Sequence, residues 1–251
     1  MKSFQKFSFG ALDVYQFNFN LLGGYKLGVH LFFIDGLLID TGPSRMSKLI
    51  LNTFKNKIPV QQVFLTHHHE DHSGNLKQFK ELYNCPVYAT PSCCLMMKKP
   101  PPISLAQRIY WGDRPPYHGL IPIQNKIETD NYSFEIIPAP GHAVDMAVLY
   151  EPQKKWMFVA DLYVSYHINY FLENESMAEQ ISSIKKVLSY DWEFMFCSHN
   201  PNIMCHRNEL KAKLQFLETF YKNVSKLFHH CLLYTSPSPR DRTRSRMPSS
   251  A

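Results

Sequence analysis

Four side chains able to hold a metal ion, His67, His69, Asp71 and His72, fall within six residues at the end of an apolar run over 60–66. That run reads as a buried strand, so the strand's end fixes where the chemistry of this chain must sit. In an extended segment leaving a strand, residues i and i+2 point the same way. His67 and His69 can therefore grip one ion together, while His68 points elsewhere. If the chain then turns into a helix, Asp71 and His72 swing toward a second position about 3.5–4 Å from the first, the spacing of a two-metal site. Imidazole and carboxylate ligands without thiolate suit a catalytic zinc, and manganese or iron also take such a set.

The rest of the chain reads as strands with flanking helices. Two β-rich runs, 27–34 and 37–40, are joined by Asp35-Gly36, a good hairpin turn. Past Gly42-Pro43, Ser44 is placed to cap a helix over 46–57 with Met46, Leu49, Ile50 and Phe54 on one face. A helix over 75–83 and a strand over 87–89 follow the histidine run. Residues 91–126 read as a long loop with a short helix, carrying Pro100-Pro101-Pro102 and an aromatic and basic patch of Arg108, Tyr110, Trp111, Arg114 and Tyr117. Loops of that length are often lids or binding elements, which makes Arg108 and Tyr110 candidates for substrate contact. Strands are expected over 132–137, 147–150, 156–160 and 194–198, with helices over 175–188 and 206–228.

Composition narrows the class. The 251 residues, 45% hydrophobic, are enough for one domain with a sizeable core. No stretch approaches the roughly 18 apolar residues of a membrane span, and the first 19 residues lack a secretory apolar core, so a soluble cytoplasmic protein with no membrane partner is expected. From Cys231 the chain reads as the translation of a sequencing-library adapter. Residues 231–251 are therefore expected to be a disordered artefactual tail beyond a domain over 1–230. Setting aside Arg240, Arg242, Arg244, Arg246 and Asp241 reduces the net charge from +6 to +3, weak support for a nucleic-acid surface. It also leaves five cysteines, an odd number with no Cys-x-x-Cys, as reduced thiols in a reducing compartment.

The run at 67–72 matches the His-x-His-x-Asp-His signature of the metallo-β-lactamase superfamily. The chain also resembles that family at Leu38-Ile39-Asp40-Thr41-Gly42, Ala139-Pro140-Gly141-His142, Phe158-Val159-Ala160-Asp161 and Ser198-His199-Asn200, in the family's order. The resemblance implies an α+β fold, a four-layer αββα sandwich with the site at one edge between two sheets. It implies that His67, His69 and His142 hold a first metal, that Asp71, His72 and His199 hold a second, and that Asp161 bridges them. Asp40 would orient ligand histidines from behind.

Two zinc ions sharing a water give a metal-bridging hydroxide at neutral pH, with Asp71 and Asp161 as the catalytic carboxylates. The expected function is a dizinc, glyoxalase II-like hydrolase acting on a small ester or thioester. The alternatives are a ribonuclease or phosphodiesterase of the same fold, or a single-iron persulfide dioxygenase. Nucleic acid is disfavoured as a partner, because the chain is too short for the extra domain of the RNA-processing members. Tyr163 and His167, just after Asp161, are the remaining candidates for substrate contact.

Overall fold

The computed structural model describes residues 2–20, 26–55, 58–168 and 171–235. Among the described residues thirteen strands form two sheets. The first has the order β1 (Lys2–Phe9), β2 (Leu12–Asn20), β3 (Lys26–Ile34), β4 (Leu37–Ile39), β5 (Gln62–Leu65), β6 (Val87–Ala89) and β7 (Ile121–Pro122). The second has the order β13 (Met204–His206), β12 (Phe194–Cys197), β11 (Trp156–Ala160), β10 (Ala147–Glu151), β9 (Ser133–Pro138) and β8 (Lys126–Glu128). Period-two alternation sorts the side chains. In β2, Leu12 and Val14 join the core between the sheets, while Tyr15, Phe17 and Phe19 join the core on the outer face.

The inter-sheet core sets Phe32, Ile34 and Phe64 against Phe134, Phe158 and Phe196. Outside the first sheet lie α1 (Ser47–Phe54), α3 (Leu76–Tyr83) and α4 (Pro91–Lys98), which contribute Ile50, Phe54, Phe79 and Met97 to the outer core, and α2 is the single turn Glu70–Ser73 that ends the histidine run. Outside the second lie α6 (Met177–Leu188) and α7 (Arg207–Thr235), which contribute Ile184, Val187, Leu210 and Leu217. The result is the expected four-layer αββα sandwich. Among the described residues no helix is long and apolar enough to cross a membrane.

Several elements differ from the sequence expectations. Residues 2–20 form the β1–β2 pair, for which no element was expected; β1 is a mostly exposed edge strand and β2 is largely buried beside it. Ser44 does not cap a helix: it opens a 3-10 turn, Ser44–Met46, and accepts through its carbonyl from Ser47 Oγ (2.7 Å). The segment expected as a loop with one short helix holds two, α4 and α5 (Leu105–Trp111). Thr90 caps α4 ahead of Pro91, and Ser104 and Gln107 form a reciprocal capping box on α5. His206 ends a short strand rather than starting the last helix. That helix runs to Thr235, and residues 236–251, the rest of the expected tail, lie outside the described residues.

Candidate metal centre

The two sheets meet at one edge through backbone bonds that cross between them. Ala147 N donates to Thr66 O (3.0 Å), beside the histidine run, and His30 N donates to Ser198 O (2.8 Å), beside His199. Strand β5 therefore delivers His67 and His69 to the same edge to which the second sheet delivers His142, Asp161 and His199. Two of the strand ends that do this are strained. Asp40 has φ +63° and Ala160 has φ +46°, left-handed conformations that cost a non-glycine residue roughly 1–3 kcal/mol each and tend to occur at functional sites. Gly141 has φ +134°, and a Cβ there would lie 2.4 Å from Gln180 N, so only glycine lets the chain carry His142 past the start of α6.

The ligand atoms fall into two groups. His67, His69 and His142 form one; Asp71, His72, Asp161 and His199 form the other, and within each group the donor atoms all lie within 4.8 Å of one another. His142 Nε2 is 3.0 Å from His69 Nδ1. Asp161 lies between the groups, with Oδ2 3.3 Å from His142 Nε2 and 3.4 Å from His199 Nε2, and Oδ1 3.3 Å from His72 Nε2. His199 Nε2 is 3.0 Å from Asp71 Oδ2.

Four of the five imidazoles are aimed by what their other nitrogen bonds. A carboxylate oxygen only accepts, so His72 Nδ1 donates to Asp40 Oδ2 (2.7 Å) and His142 Nδ1 donates to Glu175 Oε1 (2.9 Å). Thr66 Oγ1 donates to Asp40 and therefore accepts from His67 Nδ1 (3.0 Å). His199 Nδ1 donates to Gly28 O (2.7 Å). Four Nε2 atoms are left facing the centre, while His69 presents Nδ1. Buried His67 Nε2, His72 Nε2, His199 Nε2 and Asp161 Oδ1 have no hydrogen-bond partner, although such atoms are almost always satisfied. Zinc bonds nitrogen and oxygen at about 2.0–2.2 Å, which puts tetrahedral ligand atoms roughly 3.3–3.6 Å apart. The contacts of 3.0–3.4 Å and the unsatisfied buried atoms fit such an ion in each group.

The two groups differ electrically. Burial, with His72 nearby, pushes His67 well below its usual pKa, and burial with His142 does the same to His69, so both are neutral donors. In the second group burial opposes charge but is outweighed. Asp161, Asp40 and Asp71 hold His72 well above its usual range, and Asp161 and Asp71 raise His199 to about 10. Burial raises the Asp71 carboxyl, yet His72 and His199 bring it to about 2.

The centre floors a cavity of about 690 Å³. One wall is α5, with Gln107, Tyr110 and Trp111; the other is the segment after Asp161, with Val164, His167 and Ile168. The Trp111 ring lies 5.6 Å from that of His199. Of the substrate candidates, Tyr110 and His167 line this cavity. Arg108 does not: it points to solvent and pairs with Asp113 (2.9 Å). Tyr163 is also elsewhere, packed in the outer core of the second sheet, where burial raises its pKa.

Sequence reading did not find Glu175 behind His142 or Asp145, whose carboxylate accepts from His68 N (3.0 Å) and His68 Nδ1 (2.6 Å). Nor did it find Lys213, buried against the cavity with Nζ donating to Leu162 O (2.6 Å), where burial brings its ammonium down to about 8. No motif marks these residues, because each is far along the chain from the partner it bonds.

A two-sheet αββα sandwich with paired His/Asp groups at the sheet edge defines a recognisable class of protein. The chain belongs to the metallo-beta-lactamase superfamily, whose sequence model matches residues 29–199. It is similar to a hydroxyacylglutathione hydrolase from Bartonella tribocorum, 26% identical over 155 residues, 61% of this chain and 54% of that one. A hydroxyacylglutathione hydrolase from Legionella pneumophila is 25% identical over 214 residues, 82% of this chain and 73% of that one. The chain spans about half the length of the Bartonella protein. Among solved structures, the metallo-beta-lactamase FIM-1 from Pseudomonas aeruginosa in its mono-zinc form matches with a TM-score of 0.65 at 17% identity, covering 87% of this chain and 95% of that one. That likeness concerns the fold.

Proposed function

We propose that this chain is a dizinc hydrolase of small esters or thioesters. The observation that carries the reading is the pair of donor groups meeting at Asp161 on the floor of the cavity. His67, His69 and His142 would hold one ion, and Asp71, His72 and His199 the other, with Asp161 shared. Ions bound there supply an activated water at neutral pH and polarise a substrate carbonyl. The protein's own part is orientation and exclusion of water. Asp40, Thr66, Glu175 and the Gly28 carbonyl fix the ring directions, and α5 with Trp111 walls the centre from solvent. On this reading Asp71 would bind an ion and accept a hydrogen bond from the activated water. The relatives named hydroxyacylglutathione hydrolase support a thioester among the substrates.

The test is elemental analysis of protein purified without chelator, followed by assays on thioesters, lactones and phosphodiesters. About two zinc ions per chain and thioester or ester hydrolysis, both diminished in Asp161→Asn, are expected. A single iron with little zinc, or cleavage of phosphodiesters alone, would overturn the reading.

A further inference from the structure

Lys213 stands apart from the machinery described so far. It lies on α7, is 3% exposed, and is the one lysine or arginine among the described residues lining the cavity. An ammonium has three N–H donors. Lys213 spends one on Leu162 O (2.6 Å) and makes no ion pair among the described residues. The carboxylate of Glu175, which also faces the cavity, is already engaged by His142 Nδ1 (2.9 Å) and Gln180 Nε2 (3.1 Å). Glu175 and Asp161 act on Lys213 only from beyond ion-pair contact, and a buried cation with no carboxylate in direct contact is costly to keep. Away from the metal centre and the carboxylates of Glu70 and Glu175, the cavity is lined by apolar or neutral side chains such as Tyr110, Trp111, Val164 and Leu172.

We infer that Lys213 receives a carboxylate of the substrate, so that the molecule cleaved at the metal centre is an acyl ester or thioester bearing one free carboxylate remote from the reacting carbonyl. The inference rests on the proposed hydrolase reading and adds the substrate class to it. A single ammonium with two unspent donors balances a monoanion. A phosphate dianion asks for more donors than this wall supplies, and a nucleic-acid strand asks for a row of cations along its backbone. The apolar walls fit the carbon skeleton that separates the two ends.

The experiment compares matched thioesters on the metal-loaded enzyme. One pair carries the carboxylate on the acyl side, adipoyl against its neutral adipamoyl twin. The other carries it on the thiol side, 3-mercaptopropionate against 3-mercaptopropionamide. For at least one pair the acid is expected to exceed its amide twin in kcat/KM by about 10- to 100-fold, the range of a charge-assisted hydrogen bond. Lys213→Gln should bring that ratio near one, and Lys213→Arg should keep most of it. Acids no better than their amide twins in both pairs overturn the inference while leaving the hydrolase reading intact, and the wild-type comparison alone decides this if the variants do not fold. A ratio that survives in Lys213→Gln also overturns it. No turnover of any ester or thioester by enzyme shown to hold its metal overturns both readings.

Discussion

The carboxylates behind the imidazoles matter as much to this centre as the atoms that face it. Glu175 fixes both the tautomer and the direction of His142, and removing such a partner typically weakens metal binding by about 10- to 100-fold. Glu175→Gln should show that loss in competition with a chromophoric chelator while its melting temperature without metal stays close to wild type. An unchanged affinity would mean that Gly141 and α6 hold His142 unaided. His30 gives a second test at this scale. Its Nδ1 donates to Cys197 O (2.8 Å) and Nε2 faces Gln16 Nε2 (2.9 Å), and burial brings its pKa down to about 4. Between pH 6.5 and 4 the unfolded chain binds a proton at His30 that the folded one does not. Stability is therefore full above pH 6.5 and falls as pH drops toward 4, by about 3 kcal/mol from this residue. His30→Gln should flatten that part of the profile in urea unfolding of metal-free protein; an unchanged slope would assign the acid sensitivity elsewhere.

Among the elements, α5 has no buried residue of its own, yet it walls the cavity. Its hold on the domain comes largely from Trp111, edge-on to Phe19, and from Arg114 just beyond its end. Arg114 is buried, donates to His68 O (3.2 Å) and lies 3.5 Å from Glu70 Oε2. Burial, helped by Asp71, raises the Glu70 pKa, which weakens the pair. Arg114→Met should accordingly cost about 3 kcal/mol, the low end for removing one partner of a buried pair, and Glu70→Gln added to it should restore part of that in denaturant unfolding. The β3–β4 hairpin and the strand leading to His67 were legible because their signals are local: Asp35-Gly36 at the turn, with φ +49° and +83°, and an apolar run ending in polar ligands. The helix α4 was hidden by nearby prolines, although Pro91 sits at a helix start, where its missing N–H costs nothing. Arg108 and Tyr163 were read as substrate contacts from their neighbours in sequence, and the phase of a helix and a turn sends both elsewhere. Glu175, Asp145 and Lys213 meet the site from 33, 77 and 51 residues away from the partners they bond. Separations of that size are set by tertiary packing.

At the scale of the molecule, the first sheet is built wholly from residues before 123 and the second wholly from residues after 125. On the proposed assignment each ion is held from both sheets, so metal binds the folded sandwich far better than the unfolded chain. Chelation should lower the melting temperature and zinc should restore it. At free metal about 1,000-fold above Kd the difference is about 4 kcal/mol, roughly 8–16 °C for a chain of this size. A melting temperature indifferent to chelator would count against the shared site. The same division sets an order of events during synthesis. His67, His69, Asp71 and His72 leave the ribosome well before His142, Asp161 and His199, and the early four offer each ion only part of its coordination. On the proposed assignment a nascent chain of this kind would compete poorly for metal, and loading would wait until the second sheet has docked onto the first.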